Sequence, residues 1–181
     1  MLILININQH TLIHTNSDYY KYNVETDTVV HYEKDVSSHG PPAGFTQRGC
    51  IVELPGSGSR LLFLFSGLVR ERSVQSHADP IAGSSNSSSS SFESTQNALW
   101  ALDLQSNEWS LLYANPQHEA GYWARMADKE PCPRYAHQFT SIGDGTVYLF
   151  GGNPGDVGNP KSRLDDMWML RVIDGDCAYS G

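Results

Sequence analysis

Arg134, Tyr135 and His137 stand together in PRYAHQ, and a glycine-rich stretch, GGNPGDVG at residues 151–158, follows close behind. A histidine beside a tyrosine can ligate copper or exchange protons near neutral pH, and a glycine-rich loop can cradle a phosphate. Neither chemistry has its required context. A Walker loop continues as Gly-Lys-Ser/Thr into a helix, and a dinucleotide loop opens a helix through GxGxxG; here the chain runs through Asn159-Pro160 into another strand-like segment. A metal needs several convergent ligands, whereas His10, His14, His31, His39, His77 and His118 fall mostly in turns and polar stretches without ligand spacing. No GxSxG, HExxH or kinase signature occurs. The residues therefore give no catalytic, metal-ligating or cofactor-binding set, and the reading is non-enzymatic, with no cofactor.

The glycine pair Gly151-Gly152 has a geometric explanation instead. It closes an apolar run, TVYLFGG, and would suit a strand end where a Cβ clashes or the backbone takes a positive φ, both of which glycine tolerates cheaply. Within PRYAHQ, two-residue alternation along a first strand places Arg134 and Ala136 on one face and Tyr135 and His137 on the other. A structural role is expected of them.

The elements that hold these residues are strands. Helical periodicity is almost absent, and runs rich in Val, Ile, Tyr, Phe and Trp recur between turn residues. Three segments superimpose: SDYYKYNVETDTVVHYE, QNALWALDLQSNEWSLLY and LDDMWMLRVIDGDC. Aligned on Tyr20, Trp100 and Trp168, they place Tyr22, Leu102 and Leu170 two residues on and Val24, Leu104 and Val172 two further. A polar four-residue turn follows each, at 25–28, 105–108 and 173–176, which predicts three hairpins of one register. Before the second and third hairpins, FTQRGCIVELPGSGSRLLFLFSG and RYAHQFTSIGDGTVYLFGG each read as strand, turn, strand and a small-residue pair, Ser66-Gly67 or Gly151-Gly152.

Strand, strand, then hairpin makes a four-stranded meander with a tryptophan on its third strand, the sequence pattern of a β-propeller blade. Trp100, Trp109 and Trp168 are expected in the core. Burying each ring removes about 150–250 Å² from water, on the order of 4–6 kcal/mol as an upper bound.

The strings PCPRYAHQ, YLFGGNPG, RLDDMW, GFTQR and SGL, in that pattern, resemble the last kelch repeats of the muskelin family over about residues 18–172. The resemblance implies an all-β, incomplete kelch-type propeller: two nearly complete four-stranded blades plus half of a third. Expected units are a partial blade of outer strands at 1–35, a blade at 36–115 and a blade at 116–181 whose last strand is cut short. A serine-rich insert, about 70–96, is expected to stay disordered because it cannot bury apolar surface. The motif positions are Gly67, Trp100, Trp109, Arg134, His137, Gly151, Gly152 and Trp168, and the resemblance implies that the basic or histidine side chain of RYAHQ ties loops together. Candidate partner contacts are Arg48, Arg70, Arg72, Trp123 and Tyr135.

By resemblance the whole protein is a non-catalytic scaffold in the ubiquitin ligase named after its CTLH segments, with roles in substrate recruitment and cell spreading. Self-association belongs to the full-length form. The discoidin-like, LisH and CTLH segments of the family are missing from these residues, so the chain reads as a fragment. Alternatives are an enzyme on a kelch-type propeller, either a copper oxidase or a lyase, and an actin-binding kelch protein.

Composition agrees with a protein partner. Twelve Lys and Arg stand against 20 Asp and Glu, a formal charge of -8 over 181 residues, which disfavours binding to a phosphate backbone. Cys50, Cys132 and Cys177 show no CxxC pair and read as free thiols of a reducing compartment. The apolar start MLILIN lacks a basic region and a cleavage site. No run reaches the roughly 20 apolar residues of a membrane span. A cytoplasmic location, also nuclear, with no membrane partner is expected.

Overall fold

A computed structural model of the chain describes residues 2–4, 19–33, 39–42, 44–72, 91–156, 158–173 and 176–180. Alternation of β-formers between turn residues produces three antiparallel sheets. Strands β1 (Leu2–Leu4), β2 (Tyr19–Asn23) and β3 (Thr28–Tyr32) form an N-terminal sheet in that order. The central sheet holds β4 (Gly44–Phe45), β5 (Arg48–Glu53), β6 (Arg60–Arg72), β7 (Ser91–Asp103) and β8 (Trp109–Ala114), with β4 and β5 both paired to β6. A short helix, α1 (Ala120–Arg125), precedes the C-terminal sheet of β9 (Gln138–Gly143), β10 (Thr146–Gly152), β11 (Leu164–Ile173) and β12 (Asp176–Ser180). The chain is all-β in architecture, and no described helix is long and apolar enough to cross a membrane.

Tyr20, Trp100 and Trp168 hold the same place in their sheets, paired across the strand to Leu4, Leu64 and Leu149. The first two hairpins share a register, Tyr22 opposite Val29 and Leu102 opposite Trp109. They also share a turn, with Asp27 and Asn107 left-handed at φ 53° and 65°. Asn23 and Asp103 side chains accept from the backbone two residues on in each.

The third hairpin corrects the expected register. Val172 pairs with Cys177 and Ile173 with Asp176, so Ile173 and Asp176, expected within a four-residue turn, are paired strand residues instead; residues 174 and 175 lie outside the described residues. β12 pairs antiparallel with β11 over Asp176–Ser180. Of the segment 70–96 expected to stay disordered, residues 70–72 and 91–96 are strand. Arg70, Glu71 and Arg72 pair with Glu93, Phe92 and Ser91, because a long two-stranded ribbon satisfies the backbone without needing a core; residues 73–90 lie outside the described residues.

The central sheet is packed on both faces. Toward the C-terminal sheet it turns Val52, Phe63, Phe65, Leu99 and Ala101 against Phe139, Val147, Leu149, Trp168, Leu170 and Val172. Toward the N-terminal sheet it turns Leu62 and Leu102 against Tyr19, with Tyr32, Leu104 and Trp109 at the margin. Tyr19 stacks on Tyr32 with centroids 4.7 Å apart and meets Trp109 edge-on. Lys21 Nζ bridges the same seam by donating to the Leu104 carbonyl at 2.9 Å. Of the three repeat tryptophans only Trp168 is buried; Trp109 is half-buried at the margin of the N-terminal sheet, and Trp100 is half-buried beside the His39 ring.

Candidate functional site

The motif residues converge at one end of the seam between the central and C-terminal sheets. β6 carries a bulge in mid-strand and β10 one at its end, where Ser66-Gly67 takes φ of 53° and 114° and Gly151-Gly152 takes 60° and 104°. A Cβ on Gly152 would stand 2.9 Å from the Tyr135 carbonyl oxygen, and one on Gly67 would stand 2.3 Å from Gln47 Cγ. Only a residue without a side chain fits there without displacement. Ser66 accepts the positive φ while its hydroxyl reaches the Arg134 carbonyl at 2.6 Å and accepts from the Arg134 N–H at 3.2 Å.

PRYAHQ does not run as an alternating strand. Ala136 is left-handed at φ 53°, as Thr46 is at 60° in the equivalent FTQR, and Ala136 N–H donates to the Thr46 carbonyl. The turn at Ala136 cancels two-residue alternation, so Arg134 and His137, expected on opposite faces, are both fully buried. Tyr135 is half-buried and pairs with Asn153 through two 2.9 Å backbone bonds.

Arg134 uses its whole guanidinium. Nε donates to the Cys132 carbonyl at 3.0 Å, Nη1 to the Gly151 carbonyl at 3.0 Å, and the two Nη atoms grip Asp166 at 2.6 and 2.8 Å. Trp168 Nε1 donates to the same carboxylate at 2.7 Å. Burial pushes the Asp166 carboxyl up, but the hydrogen bonds from Arg134 and Trp168 and the guanidinium charge outweigh it, leaving the pKa below the usual carboxylate value. The group is a closed latch joining the start of the repeat, the glycine pair and the third strand.

His137 does not tie loops. Neither ring nitrogen has a hydrogen-bond partner, and the ring lies between the edges of Phe65 and Phe139. Burial first, then the charges of Arg134 and Arg48, push its pKa down to about 3. Such an imidazole stays neutral and is unsuited to proton exchange near pH 7. The buried thiols follow the same rule: burial raises the Cys50 pKa to about 12 and raises that of Cys132. Among the described residues no group of three His, Cys, Asp or Glu side chains could hold a metal ion.

The candidate partner contacts stand on different elements. Arg48 is exposed at the start of β5. Trp123 is half-buried on α1, edge-on to Tyr122 at 5.0 Å. Arg70 and Arg72 lie on the ribbon end of β6, and their side chains fall outside the described residues.

Two groups escaped sequence reasoning. Asp166 was legible only as the residue two before Trp168 in RLDDMW. A polar cluster around Glu130 lies in the 115–133 connection, assembled from β8, α1 and the turn after it; only long-range folding brings those residues together. No family model matches the chain.

Proposed function

We propose that the chain is part of a kelch-type β-propeller of the muskelin kind, a non-catalytic scaffold whose loops bind other proteins. The observation that carries this reading is the repeated use of sheet faces. Phe65 and Leu99 of the central sheet are 3% and 1% exposed beneath the C-terminal sheet, while Phe150 and Met167, their counterparts one repeat on, are 51% and 63% exposed. Equivalent apolar residues at a face left open are what a further sheet of the same kind would cover. The latch of Arg134, Asp166 and Trp168 supports a structural role for the motif residues, since its donors are all engaged.

In this reading the protein acts in the cytoplasm and nucleus as a subunit of the CTLH-type ubiquitin ligase, helping to recruit substrates and influencing cell spreading, and the chemistry of ubiquitin transfer lies elsewhere. The test is affinity purification of the tagged chain from cells after mild cross-linking. Recovery of ligase subunits, with no stoichiometric copper and no cosedimentation with actin filaments, is the expected result. Stoichiometric copper, or filament binding without any ligase subunit, overturns it.

A further inference from the structure

The three sheets stack in one direction. The N-terminal sheet meets the central sheet through the face that carries Tyr19 and Lys21, and the central sheet meets the C-terminal sheet through the corresponding face, which carries Phe65, Leu99 and Ala101. Each time the covering sheet contributes its opposite face, with Leu62 and Leu102 in the first seam and Val147 and Leu170 in the second. Every sheet thus has a front and a rear, and both seams join front to rear.

One face of each kind is left open. The front of the C-terminal sheet exposes Phe150 and Met167, which pair across the strands. The rear of the N-terminal sheet exposes Val29 and Val24, the latter 60% exposed where its counterpart Val172 is 5%. Tyr20 stacks on His31 at that rear face, with ring centroids 4.4 Å apart, and Tyr20 holds the place at which Trp168 is buried against the central sheet. Both open faces are therefore apolar where the seams within the chain are apolar.

The polar contact recurs in charged form. In the first seam Lys21, on a front face, reaches the Leu104 carbonyl and the Asn107 side chain in the left-handed turn of the next sheet. The same turn position on the open rear face is Asp27, left-handed and exposed. The open front face carries exposed Arg171, on the same side of β11 as Met167. Opposite charges so placed favour the meeting of these two faces and fix its register. A body with an open front at one end and an open rear at the other is complementary to itself head to tail. Two copies of three sheets each fall within the about four to eight blades that close a propeller, so one pair seals both junctions.

We infer that a second copy of this chain covers both open faces, the front of each C-terminal sheet lying on the rear of the other copy's N-terminal sheet, Phe150 and Met167 against Tyr20 and Val24. The inference rests on the propeller reading and names the source of the covering sheet; its test involves no ligase subunit, so the two failures are distinguishable. Sedimentation equilibrium of the purified chain should give the mass of two copies at micromolar concentration. Met167→Arg on the front and Val29→Arg on the rear, both at exposed positions, should each leave single copies with unchanged near-ultraviolet circular dichroism. Mixing the two variants should restore pairs, because one keeps its rear face and the other its front. Pairing in the mixture should need about a hundredfold more protein, since closure through a second junction is lost. A single-copy mass for the unaltered chain, pairs formed by either variant alone, no pairs in the mixture, or assemblies of more than two copies overturn the proposal and leave the ligase test untouched. If either variant unfolds, Met167→Thr and Val29→Thr replace them with the same expected outcomes.

Discussion

Replacing Asp166 with alanine tests whether the latch holds the C-terminal sheet in place. The substitution leaves the fully buried Arg134 guanidinium with only the Cys132 and Gly151 carbonyls and a weak sulfur contact, and it strips Trp168 Nε1 of its acceptor. Removing one partner of a buried pair costs about 3–5 kcal/mol because the other charge is stranded. A third of the Asp166 side chain meets solvent, so the lower end, about 3 kcal/mol, applies after screening. For a chain of this size that is a fall of about 6–12 °C in melting temperature. Urea unfolding followed by tryptophan fluorescence is the assay, with Asp166→Asn as a control of nearly equal volume. The depressed carboxyl adds a pH signature. Because the folded pKa lies below the unfolded value of about 3.9, the carboxylate's contribution is complete above pH 5 and disappears as pH falls through the folded pKa; the alanine variant lacks that acid limb. A loss below about 1 kcal/mol, or an unchanged acid limb, would mean that the salt bridge is incidental and the latch reasoning wrong.

Other consequences follow from the same seam. Gly152→Ala must place a Cβ 2.9 Å from the Tyr135 carbonyl at φ 104°, so a loss of about 2–3 kcal/mol is expected. Gly143→Ala, with open space at its Cβ, should lose about 1 kcal/mol, and equal losses at both would sink the crowding argument. His137 is held neutral with a pKa of about 3 against about 6.5 unfolded. Stability should therefore fall as pH drops below 6.5, by about 2 kcal/mol at pH 5, and His137→Gln should flatten that slope in urea titrations between pH 7 and 5. Trp168→Ala should cost about 3–5 kcal/mol and abolish cooperative melting of the C-terminal sheet. Trp109→Ala should cost less than half of that; equal effects in calorimetry would contradict the difference in burial.

The residues alone determined the strand pattern, the repeat spacing and the small-residue pairs, because β-alternation, aromatic placement and the φ demands of Ser66-Gly67 and Gly151-Gly152 act over a few neighbours. The turn length shared by the first two hairpins did not carry over to the third, where Ile173 pairs with Asp176. Tertiary structure decided the rest. That Arg134 and His137 are buried together depends on the bend at Ala136, which is held by a bond to Thr46, between β4 and β5. That Trp168 is enclosed while Trp109 is not depends on what each sheet finds opposite it. The cluster around Glu130 exists because β8, α1 and the following turn meet in space, and no local rule links residues 113, 122 and 130. Short-range conformational preference is written residue by residue; burial and charge partnership are properties of the assembled sheets.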